Sequence, residues 1–256
     1  VNTVFKRINK KPLGSATIAQ VHKAQLLDGT YVALKIQRPR IQKEIANNLK
    51  VLRTIVSFIK YNKKLSFLQP EKLLDNLENQ LEKETDFLVE ADGMIAFRNK
   101  YKDEDNVIVP KVYAKHSTSR LLVMEYVDGI SVSKITKFSA EKRKDIAKKQ
   151  LEFFLRQVYD ERFFHADLHP GNYLLVGDRI AYLDFGIMGV ISKSDSEQLL
   201  QIAVGLYKKR EKMLIRTIER TNWLPKNYNQ TQFENDIRGL VAKFNVRDHP
   251  KDASEM

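Results

Sequence analysis

Residues 163–188, FFHADLHPGNYLLVGDRIAYLDFGIM, decide how the rest of the chain is read. They place His165, Asp167 and Asn172 in a loop that carries Pro170-Gly171. Two short apolar runs follow, split by Gly177-Asp178, and the stretch closes on Asp184-Phe185-Gly186. Asp, Asn, Gly and Pro gather in turns for conformational reasons alone, so each triplet taken singly is more readily a turn than a site. In this order, between a helix-patterned stretch and a hairpin-patterned one, they supply a carboxylate, an amide and a second carboxylate. Phosphoryl transfer asks a protein for those groups: one to orient the nucleophile or accept its proton, two to hold Mg²⁺. His165 and His169 are four apart, but they lack the helical H-E-x-x-H frame and flank a Pro-Gly turn, which disfavours a zinc pair.

The spacing extends to a wider pattern. Asp167 and Asn172 are five apart, as in the protein-kinase loop H-R-D-L-x-x-x-N, and Asp184 opens a D-F-G. Upstream, Val32-Ala33-Leu34-Lys35 nearly copies the kinase V-A-I-K, whose lysine contacts the α- and β-phosphates. A lysine on the inward face of an apolar strand must be paired or bind an anion. Before that strand lies Gly14-Ser15-Ala16-Thr17-Ile18-Ala19, which keeps the G-x-G-x-x-G spacing with alanine at the second and third positions. Glycine reaches positive φ and lets backbone approach a phosphate, and alanine largely does neither. On its own the loop reads as a strand-connecting turn, and the lysine strand behind it strengthens the nucleotide reading.

The chain has 256 residues, enough for one large domain or two lobes. It opens on Val1 with no leader, so it is expected to be a piece of a longer protein. No apolar run approaches the ~18 residues that span a bilayer. Lys and Arg outnumber Asp and Glu by 44 to 32, a net charge of +12. That surplus attracts phosphate-rich partners without choosing among nucleotides, nucleic acids and anionic lipid. The basic residues are interleaved with acids along helix-like stretches, as on solvated helix faces. With no Cys, disulfides and thiol catalysis are excluded.

Strands are expected over 4–8, 18–27 and 30–37, with Asp28-Gly29 as a hairpin turn. Ile41, Ile45, Leu49, Leu52, Val56 and Ile59 recur at helical steps. After Pro70 one long acidic helix is expected, with Leu74, Leu77, Leu81, Glu84 and Leu88 as its stripe and Asp86 and Glu90 on another face. A functional reading pairs Glu90 with Lys35; spacing alone leaves Glu84, Asp86 and Glu90 open. Residues 107–114 and 121–127 are β-rich. The second run ends in Met124-Glu125-Tyr126-Val127, the place of a connector whose backbone meets an adenine edge with Met124 beneath it. Ser139 to Arg162 reads as a helix turning Ala147, Leu151, Phe154, Leu155 and Val158 inward. Ser194 or Asp195 is expected to cap the helix after D-F-G. Helical pattern then continues to about Phe244, and the last dozen residues read as frayed.

Taken together, GSATIAQVHKA, VALKIQRP, KETDFLVEAD, LLVMEYVDG, FFHADLHPGN and LDFGIMG make the chain resemble the UbiB/AarF/ADCK atypical-kinase family over residues 12–189. The resemblance implies an α+β, two-lobed protein-kinase-like fold, with a small lobe over 1–125 and a larger, mainly helical lobe over 126–256. It implies ATP and Mg²⁺ as cofactors. Gly14, Ser15, Ala16, Thr17, Ile18, Ala19, Val21, Ala33, Lys35, Met124, Glu125, Tyr126 and Val127 would surround the nucleotide, Asn172 and Asp184 the metal. Asp167 would be catalytic, Glu90 the partner of Lys35, and Glu84 and Asp86 the family's E-x-D motif. The family is linked to isoprenoid-quinone or lipid metabolism, which implies a lipid or isoprenoid substrate. It also implies contact with an anionic membrane, no nucleic acid, and a cytoplasmic location with any membrane association arising outside this chain. The family's K-x-G-Q extension has no counterpart in these 256 residues. Competing readings are a small-molecule kinase similar to aminoglycoside or choline kinases, and a nucleotide-gated binding module with little turnover.

Overall fold

A computed structural model describes residues 3–59, 69–221, 223–225 and 227–243. In chain order the elements are β1 (Phe5–Ile8), β2 (Gly14–Ser15), β3 (Ala19–Leu26), β4 (Tyr31–Gln37), α1 (Ile41–Ile59), α2 (Pro70–Glu84), α3 (Phe87–Lys100), β5 (Val107–Ile108), β6 (Leu121–Glu125), β7 (Ile130–Ser131), α4 (Ala140–Arg156), β8 (Phe163–His165), β9 (Tyr173–Val176), β10 (Arg179–Tyr182), β11 (Met188–Val190), α5 (Lys193–Tyr207), α6 (Glu211–Glu219) and α7 (Gln230–Lys243). The frayed tail expected at the end of the chain lies outside the described residues. The chain packs as two compact units: Val1–Ile135 with Asp167–Met188, and Thr136–Ala166 with Gly189–Met256.

In the first unit an antiparallel sheet runs β1-β3-β4-β6, with β2 paired to β3. β3 and β4 form the hairpin expected around Asp28-Gly29: Gly29 takes φ 94 and Asp28 accepts the Thr30 N–H at 2.9 Å. Alternation along β4 sends Val32 and Leu34 into a core with Ala24, Leu26 and Val123. Ala33, Lys35 and Gln37 therefore share the opposite face. A second sheet runs β5-β10-β9-β7. The two apolar runs around Gly177-Asp178 are its β9–β10 hairpin, with Gly177 at φ 63, a left-handed conformation that favours glycine. The 107–114 run is not one strand. Pro110 lacks an N–H, so β5 stops at Ile108, where it lies parallel to β10, and only Val112 bridges to Met124.

The long helix expected after Pro70 is two helices. Thr85 ends α2, its hydroxyl donating back to the carbonyls of Leu81 and Glu82, and the Asp86 carboxylate caps α3 by accepting the Leu88 N–H at 3.0 Å. A short side chain that bonds its own backbone competes with helix continuation, which breaks the run here. The break turns Glu90 inward and leaves Leu88 exposed. Along α1, Ile41 and Leu49 are buried, whereas Leu52, which the stripe placed inward, is exposed.

The second unit holds α4, β8 and α5–α7, with Leu214, Ile237 and Val241 at the heart of its helical core. Ser139 caps α4 by accepting the Lys142 N–H. The buried face runs through Ile146, Phe153, Gln157 and Val158, while Ala147, Leu151 and Leu155 are exposed and Phe154 is half-buried. The expected stripe was thus turned by about one position, because apolar residues occupy two adjacent faces there. The helix widens into a π turn, Gln157–Glu161, and ends at Arg162, φ 53. The N-cap of α5 is Ser192, not Ser194 or Asp195: its hydroxyl accepts the Asp195 N–H and donates to the Asp195 carboxylate. This reciprocal cap outcompetes the later candidates, which sit inside the helix.

Candidate active site

Lys35, Glu90, Asp167, Asn172 and Asp184 all belong to the first compact unit. Lys35 is only 7% exposed, and Nζ lies 2.7 and 2.8 Å from the two Glu90 carboxylate oxygens and 3.1 Å from Asp184 Oδ2. Glu90, 3% exposed, also accepts the Phe185 N–H at 3.4 Å, so the residue after Asp184 is tied to the same carboxylate. The Phe87 ring closes one side, its centroid 5.4 Å from Nζ. Of the three acids that spacing left open, the structure pairs Glu90 with Lys35.

Burial disfavours the charged form of both partners. For Lys35 that downward pull is outweighed by Glu90 and Asp184 together, and its pKa is raised. For Glu90 burial dominates, with Asp184 adding to it and Lys35 opposing, and the carboxyl is pushed up to about 7. The ammonium is therefore secure, and the carboxylate is the member of the pair that acid removes first.

The loop after β8 is held by its own polar groups. Asn172 Nδ2 donates to Asp167 Oδ2 at 2.7 Å, and the His169 N–H donates to Asp167 Oδ1 at 3.3 Å. His169 also accepts the Gly171 N–H, closing the short turn at Pro170-Gly171. Asn172 is fixed from the other side by its carbonyl, which accepts the Leu183 N–H at 2.9 Å. This bond sets Asn172 beside the residue preceding Asp184. His165 is fully buried in the second unit, where its N–H meets Gln157 Oε1.

Asp184 Oδ1 accepts the Gly186 N–H at 3.0 Å, and its side chain is 41% exposed. Asn172 donates through Nδ2 and so presents its amide oxygen as an acceptor. An amide oxygen and a carboxylate are hard donors. Mg²⁺ is usually held by one or two such groups with water and phosphate oxygens, so this pair fits it. Among the described residues no group of three or more His, Asp or Glu could hold a metal by itself.

The remaining predicted residues fall into two groups. Gly14 and Ser15 form β2 against Val21 and Gln20, and the Ala16 N–H donates to the Ala19 carbonyl at 2.9 Å across Thr17 and Ile18. Met124 is buried opposite Ala33, the Tyr126 N–H donates to Tyr31, and Val127 follows toward β7. Glu125 accepts the Lys111 N–H. Glu84 and Asp86 bond to groups other than the lysine: Glu84 accepts from Gln80 at 3.2 Å, and one Asp86 oxygen caps α3.

Two contributors escaped the sequence reading. The buried Tyr173 phenol donates to the Asp167 carbonyl at 3.3 Å, and burial beside Asp167 raises its pKa. Gln37 Nε2 donates to the Thr85 carbonyl at 2.8 Å, tying the end of the lysine strand to the α2–α3 break. Tyr173 was hidden in an apolar run, where a hydroxyl leaves no periodic signal. Gln37 could have been found, as an amide on the Lys35 face two residues on.

The sequence profile of the ABC1 atypical kinase-like domain matches residues 1–218. The Arabidopsis thaliana protein ACTIVITY OF BC1 COMPLEX KINASE 8, chloroplastic, is 36% identical over 217 residues, 82% of this chain and 28% of the relative. A probable protein kinase UbiB of Shewanella baltica is 31% identical over 251 residues, 93% of this chain and 45% of that one. Rv3197 of Mycobacterium tuberculosis, solved with erythromycin, superposes with a TM-score of 0.72 at 25% identity over 94% of this chain and 62% of that one. That superposition carries the two-lobed α+β architecture of protein kinases. The chain spans less than half the length of these curated relatives. The profile match over most of the chain, with the UbiB relative aligned over 93% of it, shows that the chain belongs to the ABC1/UbiB atypical kinase-like family.

Proposed function

We propose that this domain binds ATP with Mg²⁺ and hydrolyses it or transfers its γ-phosphoryl group, in support of isoprenoid-quinone or lipid metabolism. The observation that carries the reading is the buried Lys35 ammonium bonded at once to Glu90 and Asp184. A buried cation with two carboxylates in a kinase-like fold is oriented for a further anion, and phosphates fit it. Glu90 fixes the lysine's direction, Lys35 binds the α/β-phosphates, and Asn172 and Asp184 hold the metal. Bound Mg²⁺ supplies charge neutralisation for the phosphates.

Asp167, restrained by Asn172 and the His169 N–H, orients a water or acceptor hydroxyl and takes its proton as the new P–O bond forms and the bond to the β-phosphate oxygen breaks. The backbone of 14–19 lies over the phosphates, and residues 124–127 meet the adenine. Glu84 and Asp86 complete the family's E-x-D motif near the metal. The names of the relatives, kinases of the UbiB and ABC1 type, support this reaction class. No described helix is long and apolar enough to cross a membrane, so contact with anionic lipid would be peripheral.

The test is phosphate release from Mg-ATP by wild type and Asp184→Asn, with and without anionic liposomes and isoprenoid headgroup mimics. Mg-dependent release by wild type that is lost in the variant supports the reading. Equal release by both would remove it.

A further inference from the structure

We propose that Arg38 is the positioning residue that sets the alanine-bearing loop for nucleotide. This rests on the reading above that the loop faces the phosphates. Arg38 Nε donates to the Ala16 carbonyl at 3.0 Å and its Nη2 to Ser15 Oγ at 2.6 Å, while its own backbone N–H donates to the Ile18 carbonyl at 2.8 Å. Three positions of the loop, Ser15, Ala16 and Ile18, thus hang on one residue just past the end of β4. A guanidinium is a planar fork that serves two acceptors in a fixed relation, which an ammonium on a flexible stem does not.

The loop's composition makes such a clamp necessary. Alanine at 16 and 19 removes the positive-φ states with which a glycine-rich loop adapts itself to phosphates. The position of this loop must then be set from outside. Arg38 has no carboxylate partner among the described residues, and the cavity it lines carries three further cations, Arg40, Lys43 and Arg120, and no acid. The loop oxygens are what hold the guanidinium. Its neighbour Gln37 is bonded to Thr85, and Lys35 lies three residues before it. One strand end therefore ties together the lysine, the α2–α3 break and the loop. Strand and loop cannot shift independently while Arg38 is in place.

The experiment is a calorimetric Kd for Mg-ADP, with turnover and unfolding midpoint, for wild type, Arg38→Gln, Arg38→Lys, Ser15→Ala and the Arg38→Gln/Ser15→Ala double variant. Arg38→Gln is expected to weaken Mg-ADP about tenfold, the scale of one lost charge-assisted hydrogen bond. The unfolding midpoint should stay put, and Arg38→Lys should recover only part of the affinity. Ser15→Ala should add nothing in the Arg38→Gln background, the mark of two groups acting through one contact. Wild type that binds Mg-ADP no better than Arg38→Gln overturns the inference and leaves the site's assignment standing, as do fully additive effects at 15 and 38. Wild type that binds no nucleotide sinks the assignment and the inference together. Should Arg38→Gln fold poorly, Arg38→Lys decides alone: affinity equal to wild type would contradict the clamp.

Discussion

The lysine centre and the α1–α2 pair belong to the same compact unit and are built on opposite terms. At the centre, Lys35 and Glu90 are almost wholly buried and every polar atom meets a specific partner within about 3 Å. On α1 and α2, Val51, Ile55, Leu73 and Phe58, the last 75% exposed, face outward, and Arg53 reaches across to Asp75 and Glu78 on the surface. A buried charge without its partner is costly, whereas an exposed pair is solvated and screened either way. The centre therefore tolerates almost no substitution, and the helical pair tolerates most.

The sharpest way to test that contrast is Asp167→Asn, which should lower ATP turnover by ~10²–10⁴ while leaving nucleotide affinity within a few-fold. A steady-state kcat and KM comparison reads this directly, and an unchanged kcat would remove Asp167 from its role. Next comes Lys35→Met. It strips Glu90 of its partner in the interior and should cost about 3–5 kcal/mol in urea unfolding at pH 8. A loss near zero would mean that the pair is not the constraint described.

A third outcome concerns pH. Glu90 is held near 7 in the folded protein, above its ordinary 4.5. Between those values the folded state keeps a proton that the unfolded chain has released, so this group's contribution to stability grows as pH falls from about 7 towards 4.5 and is lost as pH rises through 7. This is the reverse of a salt-bridged surface acid. The slope should vanish in Glu90→Gln, and nucleotide affinity should weaken below pH 7 in wild type as the lysine loses its orienting charge. Unfolding curves and Mg-ADP binding from pH 5 to 8 check both. The smallest effect is expected at Arg53→Ala, with no resolvable change in unfolding midpoint or turnover; a clear loss would show that the surface pair had been underrated.

What could be read in the sequence follows the same divide. Lys35, Asp167, Asn172 and Asp184 were legible because phosphoryl transfer restricts both residue type and order, and because the turns that carry them need Pro170, Gly171 and Gly177. By spacing Glu90 was one of three acids and the family resemblance singled it out; what turns it inward is the α2–α3 break. That break is set by two side-chain bonds, from Thr85 and Asp86, that helical periodicity cannot register. The inward face of α4 was misread for the opposite reason: Leu151 and Leu155 satisfy the period but face outward, since an apolar pattern does not say which of two adjacent faces meets a neighbour. Arg38 stood inside VALKIQRP with no role of its own, one of 44 Lys and Arg residues. Only the placement of the Ala16 carbonyl and the Ser15 hydroxyl separates it from the rest.

The central claim is that Lys35 and Asp184 converge on one nucleotide–metal site. Calorimetric titration of the wild-type chain with ADP, in the presence of Mg²⁺ and again in EDTA, tests it most directly. Saturable heat that requires Mg²⁺ and is lost in Asp184→Asn is the predicted result; no heat, or heat indifferent to both the metal and Asp184, would contradict it.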